Sequence, residues 1–126
     1  MPDTWAPDAL AAIDSADDLT VSPLRPDGVT YGTPTWIWAV VVDGDLYVRP
    51  YHGARSSWYQ ASLARPDGRI RAAGEVHEVT FEPAPDSLAD RIDAAYRRKY
   101  AASPYLAPMV SERTRAAGVR IRPRFV

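Results

Sequence analysis

The pattern of apolar and polar residues predicts strands over four stretches of the chain, where it alternates with period two, and helices over four others. The clearest stretch is Thr33 to Tyr59. Within it Val41-Val42-Asp43-Gly44-Asp45-Leu46 sets Asp-Gly between β-branched and aromatic runs, the signature of a tight hairpin. A two-residue turn pairs 42 with 45, 40 with 47, 38 with 49 and 36 with 51. One face of that ribbon is then Ile37, Ala39, Val41, Leu46 and Val48, apolar throughout and meant for a core. The other is Trp36, Trp38, Val40, Tyr47, Arg49 and Tyr51, large groups with apolar bodies and polar tips. A ligand, a second subunit or a covering helix would each suit that second face.

The rest of the pattern builds around this hairpin. Asp3 or Asp8 caps a first helix with Leu10, Ala11 and Ile13 inward and Trp5 stapled ahead of it. Leu19, Val21 and Pro23 form an opening strand, closed by the turn Arg25-Pro26-Asp27-Gly28. Ser57 and Gln60 have capping-box spacing, so a helix starts there with Trp58, Ala61 and Ser62 inward, until Pro66-Asp67-Gly68 breaks it. A second hairpin spans Arg69 to Phe81. A three-residue turn Ala72-Ala73-Gly74 would set Ile70 opposite Val76 and Arg71 opposite Glu75. Ser87 caps the longest helix, with Leu88, Ile92, Ala95, Tyr96 and Lys99 at helical spacing. Tyr100 to Pro108 reads as irregular. Ser111 begins a short helix ending near Gly118, and Val119 to Arg122 alternates as a last strand. About six strands with a few helices give an α+β domain with a mostly antiparallel sheet, which would curl into a small barrel and hide its aromatic face in a dimer.

Composition narrows the function more than it names it. The 126 residues, 46% of them hydrophobic, suit one domain over residues 1–126. A net charge of −1 with both signs interspersed predicts no nucleic-acid partner. No apolar run approaches a bilayer span and the N-terminus lacks signal-peptide features, so no membrane and a cytoplasmic location are expected. With no cysteine, disulfides, thiolate metal sites and cysteine nucleophiles are excluded.

Candidate chemistry gathers after the first hairpin. Arg49, Tyr51, His52, Gly53, Arg55, Ser56 and Ser57 lead into a helix start, where free amides, two arginines and two hydroxyls can hold an oxyanion or phosphate. The plainer alternative is that Ser57 caps its helix and both arginines are solvated. His52 and His77 lie on different elements without metal-ligand spacing, so no metal is expected. His52, Ser56 and an aspartate can be assembled into a triad on paper, but no nucleophile elbow supports it, and no catalytic residue is assigned. Trp36, Trp38, Tyr47 and Tyr51 could stack a planar ring or meet another subunit, and Tyr96, Lys99 and Tyr100 could line the same cavity or simply pack.

From about Leu19 to Arg124 the chain resembles the bacterial family catalogued as domain of unknown function 2255. The likeness rests on the DGDLYVR hairpin at Asp43–Arg49, the Ser-x-Trp-Tyr helix start, GRIRAAG at Gly68–Gly74 and DAAYRRKY at Asp93–Tyr100. More distantly, the order of these pieces is similar to split-barrel flavin and deazaflavin proteins of the nitroreductase-like and pyridoxamine-oxidase-like groups. Those are small homodimers with cofactor between the subunits. That likeness implies FMN or the 8-hydroxy-5-deazaflavin coenzyme, with Arg49, Arg55, Ser56 and Ser57 on its phosphate. Trp36, Tyr51 and Trp58 would border its ring, with His52 in the intervening loop. It implies an oxidoreductase-like protein in which the cofactor carries the chemistry on a small-molecule substrate. The alternative is a non-enzymatic split-barrel homodimer that binds a small ligand or only its own copy.

Overall fold

The computed structural model of the protein describes residues 5–16 and 19–124. Seven strands form one antiparallel sheet: β1 (Leu19–Pro23), β2 (Thr35–Ile37), β3 (Ala39–Val42), β4 (Asp45–Val48), β5 (Asp67–Ala72), β6 (Glu75–Pro83) and β7 (Val119–Pro123). Their spatial order is β2-β1-β5-β6-β7-β4-β3, so the sheet's two edge strands are consecutive in sequence. Only Trp38 separates β2 from β3. Two Cα steps reach at most about 7.6 Å, so the sheet has to curl until its edges meet at this residue. The result is a nearly closed barrel in an α+β fold.

The count is one strand above the expected six because the run Thr35–Val42 is divided at Trp38. Before it, Trp36 pairs with Thr20 of β1; after it, Val40 pairs with Tyr47 of β4. The first hairpin has the expected two-residue turn, with Asp43 at φ 52° and Gly44 at φ 81°, the left-handed geometry that matches strand twist. Its ladder runs from 42–45 to 39–48 as the alternation requires. The expected pairs 38–49 and 36–51 do not form.

The second hairpin differs by one residue from its expected register. Its turn is Ala73-Gly74 with both φ values positive, 52° and 80°, so the loop has two residues and not three. Ile70 therefore faces His77 and Arg71 faces Val76. A two-residue turn keeps Ile70 inside the barrel at no exposure, and Val76 is left outside.

The barrel interior is filled by alternate residues of the strands, among them Val21, Leu46, Ile70, Val79 and Ile121. Helix α1 (Pro7–Ser15) adds Leu10 and Ile13, and α2 (Ser57–Ala64) adds Trp58. Trp5 packs into the same core and its Nε1 donates to the Ile121 carbonyl at 2.9 Å. Ala11, expected inward, is exposed, since the buried stripe of α1 passes through residues 10 and 13 only. The N-cap is Ala6 with Pro7 opening the helix, which puts Asp8 in the first turn; Asp3 lies outside the described residues.

A second core lies outside the sheet. Helix α3 (Ala89–Lys99) lays Ile92, Ala95 and Tyr96 over Val40, Val42 and Tyr47. Of the three partners open to the second hairpin face, the covering helix takes this part. Burying each of these large side chains contributes roughly 1.5–3 kcal/mol. Ser87 does not cap α3; a 3-10 turn at Asp86–Leu88 leads into it and Leu88 is the N-cap residue. The segment after α3 is less irregular than its sequence suggests. It holds a single turn, α4 (Leu106–Met109), before α5 (Glu112–Arg115), whose N-cap residue is Ser111.

The uncovered outer face of β5, β6 and β7 carries ion pairs. Burial pushes the Glu82 carboxyl up, but the bonds it accepts from Arg122 and Arg120 outweigh this and hold it below its ordinary 4.5. A carboxylate whose folded pKa is depressed stabilises the protein above its unfolded pKa and loses that contribution as pH falls. Urea midpoints at pH 7 and pH 3 should therefore converge in Glu82→Gln relative to the parent protein. Ala73 holds a left-handed conformation that costs a non-glycine residue about 1–2 kcal/mol and that asparagine tolerates better. Ala73→Asn should raise stability by up to about 1 kcal/mol in the same assay.

Candidate functional site

The missing pairs 38–49 and 36–51 mark where the molecule opens. After Val48 the chain reaches Arg49 and Pro50, and proline has no amide to continue a ladder. Gly53 then turns the chain, its N–H donating to the Pro50 carbonyl at 2.9 Å and its φ at 65°. A Cβ on Gly53 would come within 2.4 Å of Arg113 Cγ, and Arg113 Nη2 donates to the Tyr51 carbonyl at 3.1 Å, so α5 pins this loop. Meanwhile β2 has turned to pair with β1. The two strands part like a fork.

A groove of about 260 Å³ lies in that fork, lined by Trp36, Ile37, Trp38, Arg49, Tyr51, Tyr105 and Met109. Trp36 is 72% exposed, Tyr105 61% and Tyr51 40%, so three large rings stand at an open rim. Trp38 is held from behind, stacked on Tyr100 with centroids 4.0 Å apart and planes within 5°. The α4 turn and the residue before it supply Met109 and Tyr105 as the wall opposite the strands.

Arg49 is 1% exposed. Its Nη1 donates to Asp93 and, at 3.0 Å, to the Met109 carbonyl; its Nη2 donates to the Ala89 carbonyl at 3.0 Å. The guanidinium also lies 5.6 Å from the Tyr96 ring centre. Asp93, itself buried, accepts from Arg115 as well, and Arg115 reaches Asp90 at 3.0 Å. Two arginines and two aspartates thus balance one another. The Nε–H of Arg49 is buried without a hydrogen-bond partner. Burial pushes the Tyr96 phenol far above its ordinary value of 10, keeping it a neutral donor to the Trp38 carbonyl at 3.2 Å. Lys99 Nζ donates to the Ala39 carbonyl at 2.7 Å, and Tyr100 bonds the same oxygen at 3.4 Å. Tyr96 and Lys99 of α3 and its C-cap residue Tyr100, weighed as cavity lining, all serve the seam at Trp38–Ala39.

Of the residues singled out from sequence, the fork brings together Trp36, Arg49 and Tyr51. His52 is exposed, its ring 5.2 Å from that of Tyr51 in an edge contact. Arg55 and Ser57 are exposed and Ser56 half-buried, on the 3-10 turn Gly53–Arg55 and the start of α2, next along the chain from the rim. The capping box does not form. Ser56 is the N-cap residue, no side chain caps the helix, and the Gln60 side chain donates to the Ala54 carbonyl instead. Trp58 faces the barrel core, 6.5 Å from the Phe81 ring, and is not in the groove lining. Tyr105 and Met109 were missed, since their segment has no periodic pattern. Asp93 carried one usable signal, an acid inside an otherwise apolar helical stripe. No group of three metal-ligating side chains occurs among the described residues, and none of their helices is long and apolar enough to cross a membrane.

Sheet, seam and fork together define a small split-barrel protein with an aromatic groove. The chain belongs to the family described as uncharacterized protein conserved in bacteria (DUF2255), whose model matches residues 9–121. No curated protein matches the sequence. Several solved structures share the fold. A conserved hypothetical protein, Rv2991, from Mycobacterium tuberculosis aligns with a TM-score of 0.61 at 18% identity, over 97% of this chain and 82% of that one. Campylobacter jejuni ChuZ aligns with a TM-score of 0.64 at 11% identity, over 94% of this chain and 51% of its own. An F420 reductase aligns with a TM-score of 0.57 at 16% identity, over 91% and 92%.

Removing one partner of a buried ion pair strands the other charge, at a cost of about 3–5 kcal/mol. Arg49→Ala leaves Asp93 with Arg115 alone and frees the Met109 carbonyl, so urea unfolding should show a loss of that order.

Proposed function

We propose that the groove binds the ring of a flavin or deazaflavin cofactor, FMN or the 8-hydroxy-5-deazaflavin coenzyme, in an oxidoreductase-like protein that acts as a homodimer. One observation carries this reading: Trp36, Tyr51 and Tyr105 stand around a slot of about 260 Å³ backed by the stacked pair Trp38–Tyr100. Aromatic faces in offset or edge contact are what a planar ring gains most from. The fold shared with an F420 reductase supports the same class of ligand.

The cofactor, when bound, supplies the electron or hydride chemistry. This chain holds the ring and keeps water from it. Its phosphate falls to Arg55, Ser56 and Ser57, where the first-turn amides of α2 have no side-chain cap and retain the positive end of the helix dipole. His52 lies between that group and Tyr51. Arg49, already charge-balanced by Asp93, belongs to the ring end of the site, and Trp58 anchors α2 from the barrel core. A groove of about 260 Å³ is smaller than the ~300–1,000 Å³ of pockets that enclose most of a ligand. A second copy set across the open rim would complete the enclosure.

A second reading is a homodimer that binds a small ligand without redox turnover, or binds only its own copy. The 72% exposure of Trp36 favours it, because an aromatic that open is also what a subunit contact covers. Titrating tryptophan fluorescence with FMN and with the 8-hydroxy-5-deazaflavin coenzyme separates the two. Saturable quenching at micromolar ligand that weakens at least tenfold in Trp36→Ala supports the cofactor reading. Sedimentation showing a dimer with no quenching by either compound would leave only the second.

A further inference from the structure

One short helix reaches both sides of the groove. The turn α5 is four residues long. Isolated helices below ~12–15 residues are marginal in water, so α5 depends on what its side chains hold. Successive helical residues point about 100° apart. Arg113, Thr114 and Arg115 therefore face three ways, and each grips a different part of the site. Arg115 donates to Asp93, the carboxylate that Arg49 also holds, and Arg49 in turn donates to the Met109 carbonyl at 3.0 Å. Thr114, fully buried, donates from Oγ1 to the Pro108 carbonyl at 2.9 Å, which fixes the end of α4 beside Met109. Arg113 Nη2 donates to the Tyr51 carbonyl at 3.1 Å.

The grip of Arg113 is the one that bears on a ring at the rim. Tyr51 belongs to neither hydrophobic core, and the ring beside its own is that of exposed His52. No packing from behind sets its direction, so its backbone has to. That backbone is held at both ends. On one side Arg49 is buried in its ion pair; on the other Gly53, at φ 65°, lies so close to Arg113 that a Cβ there would come within 2.4 Å of Cγ. Arg113 itself is exposed and is not among the residues that line the groove. Whatever it does for a ligand it does through Tyr51.

Resting on the groove reading above, we infer that Arg113 is a positioning residue for the ring ligand: by holding the Tyr51 carbonyl it sets the Tyr51 ring at the rim, facing an α4 wall that Thr114 of the same helix holds. The spacing between the two walls is then fixed by α5 before any ligand arrives. A slot already at the width of a flat ring spends little binding energy on ordering itself.

Two measurements on Arg113→Met test this, since methionine keeps an aliphatic chain over Gly53 and removes the donor. Tryptophan fluorescence is titrated with FMN and with the 8-hydroxy-5-deazaflavin coenzyme in the parent protein, Arg113→Met, Tyr51→Leu and the double variant. Arg113→Met should weaken binding about tenfold in the parent background and less than about twofold in Tyr51→Leu, while Arg113→Lys, which restores a donor, should recover most of the loss. Hydrogen exchange of the ligand-free proteins reads the tether alone: amides of residues 51–55 should exchange about tenfold faster in Arg113→Met, with β4 and β7 unchanged. Unchanged binding in Arg113→Met, or an equal loss in the Tyr51→Leu background, would overturn the inference, the second by showing that the arginine acts on the ligand through its charge. Faster exchange that spreads into β4 and β7 would also overturn it and leave Arg113 a stabilising contact. Binding of neither compound by the parent protein would overturn the groove reading and this inference with it.

Discussion

A seven-stranded sheet whose two edge strands are joined through one residue cannot lie open. Trp38 sets that constraint, because the chain passes from one edge of the sheet to the other across a single residue. Strand partners change there, so the local carbonyls have no ladder of their own, and unpaired backbone oxygens away from water are costly. Helix α3 resolves the problem by supplying Tyr96 to the Trp38 oxygen and both Lys99 and Tyr100 to that of Ala39, while the Tyr100 ring covers the Trp38 indole. Placing α3 over β3 and β4 thus follows from closing the barrel as much as from burying Ile92 and Ala95.

The motif DAAYRRKY gains a physical meaning from this. Asp93, Tyr96 and Tyr100 fall at i, i+3 and i+7, one stripe of the helix, and each attaches to the first hairpin or its continuation. A buried ion pair is weak evidence for stability, since desolvating both charges offsets most of their attraction. What Arg49–Asp93 does supply is placement. Through Met109 and Ala89 it fixes the end of β4 against both α3 and α4, and α4 is the wall of the groove.

Much of this fold was legible because its strands alternate cleanly and its turns are chemically explicit. Asp43-Gly44 gave the first ladder from 42–45 to 39–48 correctly. Ala73 defeated the second turn, because alanine seldom adopts a left-handed conformation and its sequence gives no warning that it will. The division at Trp38 was also hidden. Nothing local distinguishes Trp36-Ile37-Trp38-Ala39 from one continuous strand, and the choice of β1 as partner for β2 is made by closure of the whole sheet. Of the candidate site, Trp36, Arg49 and Tyr51 could be named because they share one face of the hairpin. Tyr105 and Met109 could not, since a single α-helical turn carries no period, and Asp93 joins the site only through a contact 44 residues distant in sequence.

The failed part of the first ladder and the groove are the same event. Had residues 36–51 and 38–49 paired, Trp36 and Tyr51 would face one another across a continuous ribbon and the space between them would be filled by backbone. Pro50 ends the ladder on one side, and the pairing of β2 with β1 draws the other side away. The large amphipathic residues that a hairpin would have presented on a flat face are instead set on the two arms of a fork, with their rings at its rim. A closed barrel has no free edge at which to bind anything; a barrel closed through one residue has a split, and in this chain the split is walled with tryptophan and tyrosine and floored by a guanidinium whose charge is already met.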